Sequence, residues 1–241
     1  MNLSLPRRVE PELLDDLSAD DPRAQRSRND LRRIHRAMST LSVLRRALDS
    51  ATSGSPPRTM VELGAGDGSL LLRLARERAT RWPDVNVTLL DQLDLIAPAT
   101  LAALRSVGWT PSVVVADVFD WLAKPSDIRL DVIFANLFIH HFSVAPLVRL
   151  LAGIEQRSRV FFCCEPRRSA LPLAGSHLVG LLGAGPVTRK DAVSSVHAGF
   201  RGHELSDLWP NQSAWVLHEF AAGLFSHGFL AIRKIESADE T

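Results

Sequence analysis

Val61-Glu62-Leu63-Gly64-Ala65-Gly66-Asp67-Gly68-Ser69 is the stretch on which the fold turns. It closes a short apolar run that starts at Thr59 and opens a segment with Leu70, Leu71, Leu74 and Ala75 on one helical face. A chain that passes from strand to helix through glycines can turn tightly and bring its backbone close to a ligand. The spacing is G-x-G-x-G, and Ser69 stands where a dinucleotide fingerprint has its third glycine. Glu62 and Asp67 flank the loop. Two carboxylates would repel a pyrophosphate there, so the loop suits a cationic ligand better.

Outward from the loop, strand and helix patterns alternate. Apolar runs at residues 85–90, 113–116, 132–135 and 160–164 read as buried strands, and helical patterns at 93–107 and 144–157 separate some of them. Such alternation predicts a mostly parallel sheet with helices on both faces. Near the end, residues 214–222 and 228–235 read as a β-hairpin joined by a Ser-His-Gly turn. Upstream, Leu31, Ile34, Met38, Leu41, Leu44 and Leu48 form one helical stripe, followed by a breaker at residues 53–57. The expected fold is an open α/β sheet with a C-terminal hairpin and an N-terminal helical extension, residues 1–57. Residues 23–36 of that extension carry six Arg and one acid, the makings of a lid over an anionic or carboxylate-bearing ligand.

Composition narrows the partners. The chain has 241 residues, 46% hydrophobic and 23% charged, with 28 basic against 27 acidic residues and a net charge of +1. That balance argues against a general polyanion-binding surface, so nucleic acid is not the expected partner. The only cysteines, Cys163 and Cys164, are adjacent, which excludes a disulfide framework and fits a reducing compartment. Tyr is absent, so no phenolic acid takes part in the chemistry. Residues 1–21 hold six acids and no apolar run of leader length. Residues 169–188 are uncharged but carry two Pro, four Gly and His177, which disfavours a membrane span. A cytoplasmic location is expected.

The carboxyl ends of the predicted strands collect polar residues. Asp91 ends the second, where a carboxylate can accept from both hydroxyls of a ribose. Asp117 ends the third, placed for an adenine amino group while Val118 packs on the ring. Asn136 ends the fourth, across the crevice from the glycine loop. Open α/β sheets bind their ligands at these ends.

With these residues in order, the chain resembles the class I S-adenosylmethionine-dependent methyltransferases. The resemblance rests on Val-Glu-Leu-Gly-Ala-Gly-Asp-Gly (61–68), Leu-Leu-Asp91, Ala-Asp117-Val and Asp131-Val-Ile-Phe-Ala-Asn136-Leu-Phe. It covers roughly residues 59–165 well. Within the family the chain looks most like the ubiquinone and menaquinone type, through Leu137-Phe-Ile-His-His-Phe142. The resemblance implies a Rossmann-like seven-stranded sheet ordered 3-2-1-4-5-7-6, with the last strand antiparallel. It implies a methyltransferase domain at 58–241, in which residues 166–213 cover the acceptor. It implies S-adenosylmethionine as cofactor, released as S-adenosylhomocysteine, with Glu62, Gly64, Ala65, Gly66, Asp91, Gln92, Asp117, Val118 and Asn136 as its binding set.

Deprotonation of an acceptor hydroxyl calls for a base, and histidine is the natural one near neutral pH. His140 and His141 follow the fourth strand and are the first candidates; His197, in the covering segment, is the next. The Asn-Pro-Pro-aromatic turn of nucleobase amino-methyltransferases is absent, since the chain reads Asn136-Leu-Phe-Ile. The catechol-type metal set is absent too, so a metal-independent reaction is expected. Leu171, Leu173, Leu178, Val179, Leu181 and Leu182 could line an apolar acceptor pocket. The expected activity is O-methylation of a phenol, quinol or polyketide hydroxyl in secondary metabolism. C-methylation of a quinone-type ring, methylation of RNA or protein, and a silent binding module are the competing readings.

Overall fold

Period-two alternation builds the centre of this protein. The computed structural model describes residues 5–18, 20–52, 54–125 and 128–234. Seven strands, β1 (Thr59–Leu63), β2 (Asn86–Asp91), β3 (Thr110–Val115), β4 (Leu130–Asn136), β5 (Ser158–Pro166), β6 (Trp215–Ala222) and β7 (Ser226–Arg233), form one sheet. Their order is β3-β2-β1-β4-β5-β7-β6, the order the resemblance implies. The first five are parallel, and β7 runs antiparallel to both β5 and β6. Leu63 lies opposite Leu90 on one side and Ala135 on the other, so three carboxyl ends finish level.

Successive residues of the central strands feed opposite cores. Met60, Val132, Phe134, Phe162 and Cys164 join one buried cluster, and Val61, Ile133, Ala135, Phe161 and Cys163 join the other. The adjacent cysteines therefore face opposite sides, both buried as free thiols. The first cluster is covered by α2 (Thr40–Ala51), α3 (Ser69–Arg78) and α4 (Pro98–Ser106). The second is covered by α5 (Val118–Ala123), α6 (Val144–Arg157) and α9 (Glu204–Leu208). Helix α1 (Pro22–Ala37), α7 (Ala170–Leu178) and α8 (Pro186–Ala198) lie at the carboxyl edge of the sheet side by side: α1 packs on α8, and α8 on α7.

The structure departs from the expected elements in specific places. The stripe from Leu31 to Leu48 is two helices, because Ser39 turns left-handed at φ 56° and breaks the ladder between α1 and α2. Leu41, Leu44 and Leu48 then join the sheet's own core, so α2 is part of the main body. The hairpin turns at Gly223-Leu224-Phe225, not at Ser-His-Gly. Ala222 pairs with Ser226, and Gly223 supplies a φ of +77°. Ile235, at the end of the expected run, and Ser53, in the expected breaker, lie outside the described residues, as does the start of the segment read for a leader. No helix among the described residues is long and apolar enough to cross a membrane.

Candidate active site

Three alternate glycines shape the loop after β1. Gly64, Gly66 and Gly68 have φ values of +67°, +54° and +71°, the region where a side chain is strained. A Cβ at Gly64 would also strike the ring of Phe138, so the loop and the segment after β4 pack face to face. Asp91 anchors the loop from β2. One of its oxygens accepts from the Gly66 amide at 2.8 Å and the other from the Leu93 amide at 3.0 Å. Ala65 is buried and donates to the Leu90 carbonyl at 3.0 Å.

Asp117 caps α5, accepting from the Phe119 amide at 2.7 Å, and its other oxygen receives Gln92 at 2.9 Å. The Gln92–Asp117 pair thus bridges the ends of β2 and β3, with Val118 buried beside it. Two buried acceptors in this crevice, Oε2 of Glu62 and Oδ1 of Asn136, have no partner among the described residues. Burial first, then the charges of Asp67 and Asp91, push the Glu62 carboxyl well above the ordinary carboxylate range. Both orphaned acceptors call for a donor, and the three acids favour a positively charged one.

From α1, Arg32 reaches Asp67 at 2.7 Å and so lies over the glycine loop. Helix α1 is tied to α8 by Asp30, which accepts from the Gly185 amide at 2.8 Å and the Thr188 hydroxyl at 3.1 Å. Arg23 pairs with Asp21 at 2.7 Å and Arg33 approaches Asp30 at 3.7 Å. Three arginines of this basic helix therefore pair with carboxylates of the protein itself.

A second polar cluster lies beyond Phe138. Leu137 adopts φ 50°, and a short 3₁₀ turn at Ile139–His141 follows it. Glu165, fully buried at the end of β5, holds that turn. It accepts from the Phe138 and Ile139 amides at 3.1 and 3.2 Å and meets Nδ1 of His140 at 2.7 Å. Nε2 of His140 faces Glu12 at 3.3 Å, and Ser195 donates its hydroxyl to the same glutamate. Burial lowers the basicity of His140, but Glu12 and Glu165 outweigh it and raise its pKa to about 9. His141 meets Asp15 through Nδ1 at 3.3 Å and lies 3.9 Å from Glu12 through Nε2. Glu12 belongs to a strap, residues 5–18, pinned to α8 by Asp191, which accepts from the Leu13 and Leu14 amides at 2.8 and 3.1 Å. Arg7 fastens it further, donating to the Ala198 carbonyl at 2.7 Å and the Phe142 carbonyl at 2.9 Å.

Thus the loop and the ends of β1 to β4 gather Glu62, Gly64, Ala65, Gly66, Asp91, Gln92, Asp117, Val118 and Asn136 along one edge, while His140 and His141 sit in the adjoining cluster. His197 stands apart in the last turn of α8, where its carbonyl accepts from the Arg8 amide at 3.0 Å. Sequence reasoning missed Glu12, Asp15, Glu165 and Ser195. Only Glu165 carried a readable signal, as a carboxylate at a strand's carboxyl end. In the apolar stretch after β5, Leu171, Leu178 and Leu181 are exposed, Leu181 by 83%, and Leu173 and Val179 are partly buried. A cavity of about 350 Å³ opens beside His141, lined also by Val9, Pro11, Asp15, Phe142 and Pro146.

No protein-family profile matches the chain, and no curated protein matches it in sequence. Solved structures match it in fold. The plantazolicin methyltransferase BpumL, in complex with S-adenosylhomocysteine, superposes with a TM-score of 0.66 at 12% identity, covering 89% of this chain and 92% of that one. The magnesium protoporphyrin IX methyltransferase ChlM from Synechocystis PCC 6803, also with S-adenosylhomocysteine, gives 0.53 at 14% identity, covering 82% and 83%. The mitomycin 7-O-methyltransferase MmcR gives 0.56 at 16%, covering 92% of this chain and 60% of its own. This chain has the Rossmann-like α/β fold of these methyltransferases.

Proposed function

We propose that this chain is an S-adenosylmethionine-dependent methyltransferase acting on the hydroxyl of a small, largely apolar acceptor. The observation that carries the reading is the pair of orphaned buried acceptors, Glu62 and Asn136, in a crevice lined by a glycine loop and carboxylates. When bound, S-adenosylmethionine supplies an electrophilic methyl on a sulfonium and leaves as S-adenosylhomocysteine. Glu62 and Asn136 fit the donors of its ammonium group, and the loop from Gly64 to Gly66 gives the backbone room to approach. Asp91 keeps a second lone pair on each oxygen for ribose hydroxyls, and Gln92, Asp117 and Val118 frame the base. Arg32, pairing with Asp67, closes α1 over the loop. Residues 5–37 then act as the lid, and residues 166–213 as the acceptor's cover.

The acceptor side is the histidine cluster. His140 has both ring nitrogens turned to glutamates and is enclosed, whereas the His141 side chain is 28% exposed beside the 350 Å³ cavity. His141 is the group an acceptor hydroxyl can reach. Alignment of that oxygen with the methyl supplies much of the rate, and withdrawal of its proton about 10²–10⁴-fold more. Arg23, Arg32 and Arg33 of α1 pair with carboxylates of the chain, which leaves a docking role on RNA less support.

Two measurements test this. Calorimetry should show S-adenosylhomocysteine binding that weakens at least tenfold in Asp91→Ala. Labelled-methyl transfer across phenols, quinols, polyketides and RNA should favour a phenolic hydroxyl, and His141→Ala should lower kcat about 100-fold or more while sparing cofactor affinity. A chain that does not bind S-adenosylhomocysteine is not this enzyme.

A further inference from the structure

We propose that Glu12, His140 and His141 form a binding site for a first-row divalent cation, with zinc the best match. One ligand atom from each residue lies within 4.8 Å of the others. The edge from His140 Nε2 to Glu12 Oε1 is 3.3 Å, and the edge from His141 Nε2 to Glu12 Oε2 is 3.9 Å. Ligand atoms held about 2.0–2.1 Å from a tetrahedral zinc stand roughly 3.3 Å apart. The His140 edge has that length, and His141 approaches the other oxygen of the same carboxylate, so a small turn of the Glu12 carboxylate brings one donor from each residue onto a shared ion.

The surroundings are those of ligands held for a metal. Each imidazole has its Nδ1 against a carboxylate, His140 on Glu165 at 2.7 Å and His141 on Asp15 at 3.3 Å. That outer pairing fixes ring orientation and leaves both Nε2 atoms turned towards Glu12. Buried Glu165 and part-buried Glu12 flank His140, with Asp15 at the rim, and a dication that displaces the proton between His140 Nε2 and Glu12 would offset the charge of these carboxylates. Two histidines and one carboxylate are a donor set suited to zinc and leave a fourth position open. Asp15 and His141 also line the 350 Å³ cavity, so the cluster lies beside an opening that an acceptor can enter. With the ion bound, His141 serves as a ligand and not as the base, and a hydroxyl coordinated at the open position would release its proton to solvent more readily. The expectation of a metal-independent reaction rested on the catechol-type set; this is a different one, built by a strap 128 residues upstream of His140.

The consequence for the acceptor rests on the proposed methyl transfer; the binding site does not. The test titrates chelator-treated full-length protein with zinc chloride by calorimetry, and with Co²⁺ followed by its visible d–d absorption. One equivalent should bind with micromolar affinity or tighter, and Co²⁺ should give the intense bands of a four- or five-coordinate site. Glu12→Gln and His141→Ala should each weaken binding at least 30-fold, and Glu165→Gln by about 10–100-fold. His203→Ala, outside the cluster, should leave it unchanged. Far-UV circular dichroism confirms that each variant is folded, and partly exposed His141 is the decisive position if buried variants unfold. Absence of stoichiometric binding by folded protein, or equal affinity in Glu12→Gln and His141→Ala, overturns the inference. S-Adenosylhomocysteine binding measured on the same samples separates the two proposals: its loss sinks the methyltransferase reading alone, and loss of zinc binding sinks this one alone.

Discussion

Glu62 shows how a residue can serve a ligand at the expense of the fold. Its carboxyl is enclosed beside Asp67 and Asp91, and its pKa in the folded chain lies well above the ordinary 4.5. Between those two values the unfolded chain is ionised at this position and the folded chain is not. Stability therefore falls as pH rises through that window, and it is fully present only below it. Glu62→Gln removes the fall. Its melting temperature should exceed that of the native chain by a margin that grows with pH, at about 2–4 °C per kcal/mol. The same change should weaken S-adenosylhomocysteine binding tenfold or more, about 1.4 kcal/mol. Because a cationic ligand favours the ionised carboxyl, native binding should release a proton, detectable by calorimetry in buffers of different ionisation enthalpy. Equal affinity and equal proton release in Glu62→Gln would show that another group reads the ligand. Two neighbouring glycines give a matched comparison. Gly64 and Gly66 are both left-handed, but a Cβ meets Phe138 at the first and open space at the second. Gly66→Ala should cost about 1–2 kcal/mol from backbone strain alone. Gly64→Ala should cost clearly more in urea unfolding, since Phe138 must also move; a smaller loss there would contradict the packing.

At the scale of elements, one buried carboxylate fastens the basic helix. Asp30 accepts from the Gly185 amide and the Thr188 hydroxyl at the start of α8, where the helix dipole favours an anion. Asp30→Ala should destabilise by about 1–2 kcal/mol. Amide exchange should quicken in α1 and in the first turn of α8 and stay unchanged in β1 and β4. Uniform acceleration across the sheet would mean that α1 belongs to the global folding unit. These connections divide what the residues announce from what they hide. Strand ends were legible because parallel strands bring their carboxyl ends to one edge, so position along the chain places Asp91, Asp117 and Asn136 together. The same reasoning would have reached Glu165. Glu12, Asp15 and Ser195 were not legible: Glu12 meets His140 across 128 residues and Ser195 across 183, through a strap without secondary periodicity. The break at Ser39 was hidden for another reason, since a serine in the left-handed region leaves no mark on an apolar stripe that continues through it.

Over the whole molecule, near-zero net charge resolves into two opposed regions. Acids gather at the strand ends and on the strap, and arginines gather on α1, which spans the gap between them through Arg32 and Asp67. That pair is partly exposed, and such bridges near the surface are worth about 1 kcal/mol or less. On the side of the glycine loop the lid is held this weakly, and its firmer tie, Asp30, is to α8 and not to the sheet, so it can open without unfolding the sheet beneath it. Helix α2 cannot. Leu41, Leu44 and Leu48 are buried against the sheet, and burying one leucine is worth about 1.5–3 kcal/mol. Together they match a large part of the roughly 5–15 kcal/mol by which a domain is stable. A chain beginning at residue 39 should therefore fold, melt cooperatively and bind S-adenosylhomocysteine within about tenfold of the native affinity. It should lose methyl transfer, because Glu12 and the lid are gone. A chain beginning at residue 58 should lack near-ultraviolet dichroism and a cooperative melt, since one face of the sheet is stripped. Cooperative melting of the shorter chain would return α2 to the lid. Failure of the longer one would make α1 and the strap part of the folding core, with no independent closing element left to act.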